Sequence, residues 1–299
     1  MPVTVTVPAT TANLGPGFDC LGLALSLHNT VVLEITPGGL TVLVEGEGVG
    51  ALPVDESNLV VRAIKRLFAF CGRPVPGLHI TLRNRIPVAS GLGGSAAAVL
   101  GGLLAANHFL DQPLPLDDIL TLATGMEGHP DNVAPALYGG LVLVNEHDGR
   151  LLVEPVRVPP LRAVVVLPDV DLPTLEARAI LPAKVPLADA VFNAGRAALL
   201  VHALSQGDYD KLSVAMQDRV HQPYRIPLIP GMPQAFTAAM DAGAAGVALS
   251  GAGPSVVAFA AGSHQTIAEA MVRTFAAKGL DSRVWILEVD TAGSSVRCD

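Results

Sequence analysis

The stretch of sequence that decides the fold is PVASGLGGSAA, at residues 87–97. It follows a predicted strand at residues 78–82 and leads into a predicted helix that begins at Ser95. Its three glycines let the backbone approach a ligand closely, because glycine adopts positive φ without steric cost. A helix N-terminus carries about half a positive charge, and its free N–H groups point back at the loop. The pattern predicts an anion-binding loop, to which Ser95 adds a hydroxyl for a phosphate oxygen or a metal ion.

Two known nucleotide motifs fit this loop less well. No lysine follows the glycines, so the loop is not the GxxxxGK[ST] type. Gly91, Gly93 and Ala96 match the dinucleotide fingerprint GxGxxA, and Asp111 lies twenty residues after the first of them. However, Asp111 follows a predicted helix and precedes Pro113, whereas the ribose-binding acid ends a second strand. At this stage a small-residue helix that packs on a sheet without a ligand remains the alternative.

The composition limits the class of protein. The chain has 299 residues, which favours two domains, and 50% of its residues are hydrophobic against 15% charged. We therefore expect a compact globular protein. The net charge of −8 argues against non-specific nucleic-acid binding, which depends on clustered lysine and arginine. No nucleic-acid partner is expected.

Cysteine usage and the N-terminal sequence predict a cytoplasmic protein. Cys20, Cys71 and Cys298 are far apart and odd in number, which favours reduced thiols. Residues 1–15 lack the basic and apolar regions of a signal peptide. Residues 242–263 are uncharged and long enough to span a bilayer, but their glycines and a proline would leave backbone groups unpaired in lipid. No membrane partner is expected.

Periodicity and chain breakers divide the chain into two parts. In the first part we predict strands at residues 3–7, 78–82 and 140–145, a loop at 8–18, a hairpin of 31–35 with 40–45, and helices at 58–71, 95–110 and 116–126. The second part, which includes a predicted helix at 209–216, alternates strands and helices as in an α+β sandwich. A proline-rich run at residues 154–160 predicts a linker. The expected domains are residues 1–157 and 158–299.

Two further segments change the interpretation of the glycine loop. They are PATTANLGPGFDCLG at residues 8–22 and SGAGPS at residues 250–255. Together with the loop they resemble the three motifs of the GHMP small-molecule kinases. With EGHPDNVAPA at residues 127–136 and HQPYRIPLIPG at residues 221–231, they resemble the branch of that superfamily that acts on L-homoserine. The resemblance covers residues 2–287, and five ordered motifs are far more specific than one.

The resemblance implies a GHMP kinase fold of the α+β class. The N-terminal domain would be similar to the second domain of ribosomal protein S5, and the C-terminal domain would be a ferredoxin-like α/β sandwich. ATP and substrate would lie between them. The implied reaction transfers the γ-phosphate of ATP, with Mg²⁺, to the hydroxyl of L-homoserine, a step towards threonine. A homodimer is possible, since relatives are often dimers.

The resemblance also implies which residues hold ATP and the metal ion. The phosphates would lie against Pro87, Val88, Ala89, Ser90, Gly91, Leu92, Gly93, Gly94, Ser95, Ala96 and Ala97. Ser95 and Glu127 would be the metal ligands, since oxygen donors suit Mg²⁺. Asn58 resembles an adenine-pocket residue of the family, and the alternative is an ordinary helix N-cap.

The substrate residues follow from the same resemblance. Asp19 suits the ammonium group of homoserine, and Arg178 and Arg225 suit its carboxylate because a guanidinium fork matches a carboxylate. Asn13 and Asn132 would orient the reacting hydroxyl and act with Ser95 and Glu127 in catalysis. His129 resembles a residue of the substrate pocket.

The proton acceptor is the open point of this mechanism. Some GHMP kinases have an aspartate where this chain has Asn132, and an amide cannot accept the proton. Asp131 is adjacent in sequence, and we expect it to point elsewhere. We therefore predict that the proton leaves to a phosphate oxygen or to water. The chain also has Gly94 where many relatives have serine, and Glu127 lies closer to His129 than in some relatives.

Two other functions remain open from the sequence. One is a GHMP kinase for another small alcohol, such as a mevalonate-like or sugar-like substrate. Mevalonate has no ammonium group and a sugar has neither charge, so the set of one acid and two arginines favours an amino acid. The other is a non-catalytic nucleotide-binding relative, which would have no need to keep Ser95 and Glu127.

Overall fold

Residues 1–298 are described by the computed structural model, which has eleven strands and ten α-helices over that range. The strands are β1 (Val3–Asn13), β2 (Gly17–Thr36), β3 (Leu40–Gly46), β4 (Gly77–Asn84), β5 (Leu141–His147), β6 (Arg150–Val156), β7 (Arg162–Pro168), β8 (Gly246–Leu249), β9 (Val256–Ala260), β10 (Ser282–Glu288) and β11 (Ser295–Cys298). The helices are α1 (Leu59–Phe70), α2 (Gly94–His108), α3 (Leu116–Glu127), α4 (Val133–Tyr138), α5 (Thr174–Ala179), α6 (Leu187–Gln206), α7 (Leu212–Ala215), α8 (Gln222–Arg225), α9 (Met232–Asp241) and α10 (His264–Ala276).

The first sheet carries α2 against its centre. Its strand order is β11-β1-β2-β4-β3, with β5 paired to β2 and β6 paired to β5. The small residues of α2 permit close packing on both sides. A Cβ on Gly101 would lie 2.5 Å from Val31 Cγ2, and one on Gly102 would lie 2.6 Å from the Val60 carbonyl oxygen. The glycine loop is therefore attached to a helix that is held firmly between the sheet and α1.

The second sheet has the ferredoxin-like strand order. Its four strands are antiparallel in the order β10-β7-β9-β8, with helices between its first and second strands and between its third and fourth. Ala163 and Val165 face the core shared with the first sheet, whereas Val164 and Val166 face a second core beneath α9 and α10. Burial on both faces explains the continuous apolar run of β7. The α+β class and the ferredoxin-like sandwich are confirmed.

The predicted hairpin of residues 31–35 with 40–45 is wrong in its pairing. Both segments are strands, but β4 lies between them, antiparallel to β2 and parallel to β3. Alternation along a strand fixes which residues share a face, and it does not fix the neighbouring strand. The turn residues at 37–39 therefore connect two strands that are not partners.

Two other predicted elements differ from the structure. The predicted loop at residues 8–18 is mostly strand, because β1 continues to Asn13 and β2 begins at Gly17. Residues 7–13 are all buried, so the alternation that marks a half-buried strand is absent there. The predicted helix at 209–216 is a 3-10 turn, Tyr209–Lys211, followed by the four residues of α7.

The end of the chain returns to the first sheet. β11 pairs with β1, and Val3 lies opposite Cys298. The predicted linker at residues 154–160 begins inside β6. The predicted domain boundary between residues 157 and 158 falls between β6 and β7, and it stays a prediction.

Within residues 1–298, one helix, α6, is long and apolar enough by length and composition to cross a membrane. Leu200 and Leu204 of α6 are buried in the core. Its Asn193 donates from Nδ2 to Asp218 Oδ1 at 2.6 Å. These contacts join α6 to the rest of the chain, and the expected absence of a membrane partner stays a prediction.

Asp290 joins the returning segment to the first sheet. Its Oδ2 lies 2.6 Å from Nε2 of His28, and its Oδ1 accepts hydrogen bonds from the amides of Ala292 at 2.9 Å and Gly293 at 2.8 Å. Burial raises the pKa of Asp290, but these hydrogen bonds together outweigh it and hold the pKa below its usual range. Folding therefore favours the charged form of this carboxyl.

We predict that Asp290→Asn lowers the free energy of unfolding by about 1–3 kcal/mol at pH 7. The NH₂ group that replaces one carboxylate oxygen must then face a hydrogen-bond donor, either His28 or the two backbone amides. The folded pKa lies below the unfolded pKa of about 3.9, so the carboxylate contributes fully above that value and loses its contribution as pH falls through the folded pKa. Urea unfolding at pH 7 and about pH 3.5 measures the difference from the wild type, which shrinks in acid. Asp241→Asn, at an exposed position, is the control. A difference that stays constant between the two pH values would contradict the assignment.

Candidate active site

Three loops meet at the N-terminus of α2. They are residues 10–19, which comprise the end of β1, the turn and the start of β2 (the first loop), residues 87–93 (the phosphate loop) and residues 250–255 (the third loop). Backbone hydrogen bonds connect each loop to the other two, from Thr10 N to Leu92 O at 3.1 Å, from Gly251 N to Ala12 O at 3.1 Å and from Ser255 N to Ser90 O at 3.3 Å. Segments from three distant parts of the sequence therefore form one continuous wall.

Two glycines of the phosphate loop make this contact possible. A Cβ on Gly91 would lie 2.4 Å from the Ser250 carbonyl oxygen, and one on Gly93 would lie 2.0 Å from Thr10 Oγ1. Their φ angles are +76° and +68°, a region that side chains disfavour. Ser250 also donates its hydroxyl to Gly91 O at 2.7 Å. Both the space and the conformation require glycine.

Strained backbone is concentrated in the same loops. Asn13, Leu14, Asp19 and Ala89 have φ of +70°, +49°, +57° and +53°, a conformation that costs a non-glycine residue about 1–3 kcal/mol. Neighbouring contacts hold it in place. Asn13 donates from Nδ2 to Gly251 O at 2.9 Å and accepts at Oδ1 from Asp19 N at 2.9 Å. The Asn13 amide therefore positions the first loop on the third.

These loops enclose a cavity of about 170 Å³, which we call the central cavity. Its lining residues are Asn13, Asp19, Ala89, Ser90, Gly91, Gly93, Gly94, Ser95, Glu127, His129, Asp131, Asn132, Arg178, Arg225, Gly251 and Ala252. The first turn of α2 ends at its wall, where helical N–H groups have no intrahelical partner. All the predicted substrate and metal residues are thus brought to one cavity.

Ser95 and Glu127, the predicted metal ligands, form a hydrogen-bonded pair. Ser95 opens α2, Glu127 ends α3, and the Ser95 hydroxyl donates to Glu127 Oε2 at 2.5 Å. Burial raises the pKa of Glu127, opposed by the hydrogen bond from Ser95 and the charge of His129. Hydroxyl and carboxylate oxygens fit Mg²⁺, which commonly takes one or two protein ligands together with phosphates and water. Among residues 1–298 no cluster of three histidine, cysteine or acidic side chains holds a metal alone.

His129, Asp131 and Asn132 form a connected chain of polar groups. Asp131 Oδ1 lies 2.6 Å from Nδ1 of His129 and accepts a longer hydrogen bond from Asn132 Nδ2 at 3.3 Å. Asn132 Oδ1 in turn accepts from Thr10 Oγ1 at 2.7 Å. The hydrogen bond with Asp131 raises the pKa of His129, which favours an imidazolium that can face an anion. Asp131 lines the cavity, but its buried carboxylate is directed at His129 and Asn132, so the expectation that it points away from the reacting hydroxyl stays a prediction.

Asp19 and Arg178 form an ion pair that also lines the central cavity. Arg178 Nη2 lies 2.7 Å from Asp19 Oδ1, and both side chains are partly exposed to the cavity. The guanidinium of Arg178 lies 5.5 Å from the ring centre of Phe18, and that of Arg225 lies 5.2 Å from it. An acidic and two basic groups are therefore arranged around one aromatic ring.

Arg225 is almost fully buried and is held by the protein. Its Nε donates to Ala177 O at 2.9 Å, and its Nη1 lies 3.3 Å from Nδ1 of His221. His221 Nε2 lies 2.7 Å from Gly15 O. Burial lowers the pKa of His221, so its neutral ring donates to the first loop and accepts from Arg225. Nη2 of Arg225 has no hydrogen-bond partner among the described residues and remains for a ligand.

A second, more apolar cavity of about 300 Å³ lies behind the phosphate loop. We call it the apolar pocket; it shares Ala89, Gly94 and Ser95 with the central cavity. Asn58 lines it, but its Oδ1 accepts from Val60 N at 2.9 Å and its Nδ2 donates to Pro53 O at 2.6 Å. Asn58 is thus an N-cap whose amide is occupied.

The phosphate-loop residues differ in what they face. Val88 and Ala97 line the apolar pocket, and Pro87 lines a further cavity beside it. Leu92 and Ala96 line neither cavity; both side chains are buried in the core. Any ligand contact from these two residues must come from their backbone.

Sequence reasoning missed Thr10, Phe18, Asp131 and His221 as members of the site. Each lies inside one of the five quoted motifs, so the motifs contained the signal. Asp131 contacts its near neighbours His129 and Asn132. The roles of the other three depend on contacts across more than 100 residues, such as Thr10 with Asn132 and His221 with Gly15. No spacing within a motif predicts such a contact.

Family models match both halves of the chain. The model of the GHMP kinases N-terminal domain matches residues 58–140, and that of the GHMP kinases C-terminal domain matches residues 200–278. The chain is 47% identical to a homoserine kinase of Moorella thermoacetica over 94% of this chain and 95% of the relative. It is 43% identical to a homoserine kinase of Desulfitobacterium hafniense over 98% and 99%.

Solved structures give the same result. The crystal structure of homoserine kinase from Cytophaga hutchinsonii is 37% identical and superposes with a TM-score of 0.90 over 99% of this chain and 97% of that one. The crystal structure of L. major mevalonate kinase in complex with R-mevalonate superposes with a TM-score of 0.72 over 96% of each chain. Its identity of 20% shows the shared fold alone.

We predict that Gly93→Ala weakens ATP binding at least about tenfold and lowers stability by about 1–3 kcal/mol, because the added methyl meets Thr10 in a disfavoured conformation. Calorimetric titration with ATP and thermal unfolding measure both effects. Gly125→Ala is the matched control: it lies in α3 with open space around its Cβ position, so alanine leaves ATP binding unchanged. Equal ATP affinity in Gly93→Ala and wild type would show that ATP does not bind at this loop.

Proposed function

Because the chain belongs to the homoserine kinases of the GHMP kinase family, we propose that it transfers the γ-phosphate of ATP to the side-chain hydroxyl of L-homoserine, a step in threonine biosynthesis. The observation that carries the proposal is that two chemically different sets of residues line the central cavity. One has the Ser95–Glu127 pair and the first turn of α2, and the other has Asp19 with two arginines. The first suits a metal-bound triphosphate and the second a zwitterion.

The nucleotide would extend across both cavities. The apolar pocket suits a base, and its shared wall with the central cavity suits the phosphates, which need the N–H groups of α2. Ser95 and Glu127 would hold Mg²⁺, which when bound offsets the charge of the phosphates. The family uses ATP and generally Mg²⁺. Asn58 would contribute to the adenine side by fixing the start of α1.

The ion pair of Asp19 with Arg178 supports an amino-acid substrate. A zwitterion can replace this one ion pair by two new ion pairs. Its ammonium would bind Asp19, and its carboxylate would bind Arg178 and Nη2 of Arg225. A mevalonate-like acid would occupy the arginines and leave Asp19 unpaired, and a sugar would satisfy neither charge. An unpaired charge in a partly buried site costs more than the pair gains. The arrangement therefore disfavours the other small alcohols.

The residues near the reacting hydroxyl are proposed to orient it rather than to deprotonate it strongly. Asn132 and Asn13 have amides fixed by Thr10 and Gly251, so they are positioning groups that reach the cavity. Asp131 already accepts hydrogen bonds from His129 and Asn132. His129 would face the substrate or phosphate as a cation. The proton would leave to a phosphate oxygen or to water.

The cellular setting is part of the proposal. The thiols of Cys20, Cys71 and Cys298 are free, which suits a reducing cytoplasm. Burial, with the charges of Asp131 and Asp19, raises the pKa of Cys20 to about 11. Cys20 is therefore a protonated thiol beside the site and not a nucleophile at neutral pH.

We predict Mg²⁺-dependent ADP release with L-homoserine that is much faster than with 4-hydroxybutyrate, mevalonate or a hexose. Asp19→Asn raises KM for homoserine about 10- to 100-fold, because the ammonium loses a charged acceptor, and leaves KM for ATP near the wild-type value. 4-Hydroxybutyrate has no ammonium, so its KM does not rise in the variant. An equal loss with both alcohols would remove the assignment of Asp19, and a preferred alcohol without an ammonium would overturn the proposed substrate.

A separate prediction concerns the proton. If no side chain acts as a strong base, Asp131→Asn lowers kcat by less than about 100-fold, since general-base catalysis contributes about 10²–10⁴-fold. The measurement is kcat at saturating ATP and homoserine, with circular dichroism to verify the fold. A larger loss in a folded variant would identify Asp131 as the base.

A further inference from the structure

The apolar pocket is bordered by three asparagines that differ in what their amides do. Asn58 uses both ends of its amide on the backbone of Val60 and Pro53. Asn84 donates from Nδ2 to Glu47 O at 3.1 Å. Asn29 is different, because its Nδ2 has no hydrogen-bond partner among residues 1–298. This nitrogen also keeps some accessible surface, and Asn29 lines the pocket.

The orientation of the Asn29 amide is fixed by two backbone donors. Its Oδ1 accepts hydrogen bonds from the amides of Arg85 at 2.8 Å and Ile86 at 2.9 Å. Two N–H donors on one side require the carbonyl oxygen there, since an NH₂ group cannot accept them. The amide nitrogen must therefore point away from residues 85–86. The side chain is only 7% exposed, so rotation about its bonds is restricted.

The position of Asn29 on β2 places that nitrogen at the pocket. Successive residues of a strand alternate between faces, so Asn29 shares a face with Val31. Val31 packs against α2 at Gly101 and lines the apolar pocket together with Ala97. The sheet face that carries Asn29 is thus the face that α2 covers. The little exposure that the side chain has opens on the pocket.

We propose that Asn29 is a specificity-determining residue for the nucleotide, whose Nδ2 donates a hydrogen bond to a ring nitrogen of the purine base. This inference rests on the proposed function, which places the base in the apolar pocket. A purine offers unprotonated ring nitrogens as acceptors, and the walls of the pocket are otherwise largely aliphatic. One oriented donor in an apolar pocket discriminates strongly, because a base without the matching acceptor leaves that donor unpaired.

The same side chain also supports the phosphate loop, since residues 85–86 lead directly into it. A variant that simply removes the side chain would disturb both the base and the phosphates. Asn29→Asp separates the two roles. One carboxylate oxygen keeps the hydrogen bonds from Arg85 and Ile86, and the other replaces the donor by an acceptor that repels a ring nitrogen.

The experiment is calorimetric binding of ATP with Mg²⁺ to the full chain, together with 1-deaza-, 3-deaza- and 7-deaza-ATP, each of which replaces one ring nitrogen by C–H. Asn29→Asp is expected to weaken ATP binding at least about tenfold. Its KM for homoserine stays within about twofold of the wild-type value. In the wild type one of the three analogues binds about tenfold more weakly than ATP. In Asn29→Asp that analogue binds no more weakly than ATP, because the lost hydrogen bond is the same one.

Asn84→Asp is the matched control, with the same chemical change at an asparagine of the same pocket whose amide nitrogen already donates to Glu47 O. It keeps the wild-type ratio between ATP and the sensitive analogue. The inference is overturned if no analogue binds more weakly than ATP to the wild type, a result that needs no variant to fold. It is also overturned if Asn29→Asp and the analogue weaken binding independently. Binding without phosphate transfer to homoserine would overturn the proposed function and leave this inference standing.

Discussion

The structure depends on a close contact between the backbones of three loops that lie far apart in the sequence. The first loop, the phosphate loop and the third loop are hydrogen-bonded to one another around the start of α2. Gly91 and Gly93 allow the contact, since a Cβ at either position would meet another loop at 2.4 Å or less. Each loop therefore fixes the other two. The strained residues of the site are tolerated because this contact holds them.

Most of the ionisable groups of the central cavity have a side-chain partner, and the exception is Arg225, which is held by the Ala177 carbonyl and His221. Asp19 is paired with Arg178, and Asp131 with His129, while the Glu127 carboxylate accepts the hydroxyl of Ser95. Paired charges avoid the cost of isolated ones in a partly buried site. A ligand that offers groups to replace these partners leaves no charge unpaired, and this is the physical basis of the proposed binding of a zwitterion and a metal-bound phosphate in this cavity. Specificity and stability have the same electrostatic origin here.

The N-terminus of helix α2 contributes residues to both cavities. Its glycines pack on β2 and on α1, while its N-terminus separates the apolar pocket from the central cavity. Asn29 extends this connection to the strand before the phosphate loop, since its Oδ1 holds the amides of residues 85 and 86. The apolar pocket and the phosphate loop are thus anchored to the same sheet. The small residues of α2 are therefore required for its packing between the sheet and α1.

The sequence by itself determined the α+β class, the helix after the glycine loop and the family, because these depend on local periodicity and on ordered motifs. It also selected most of the residues that line the central cavity. Only the tertiary structure decided that β4 separates β2 from β3, that β11 returns to β1, and that Asp131 and His221 belong to the site. It also decided that Asn58 is occupied as a cap while Asn29 has a free amide nitrogen. Strand partners and hydrogen-bond partners are chosen between segments distant in sequence, and no local pattern specifies that choice.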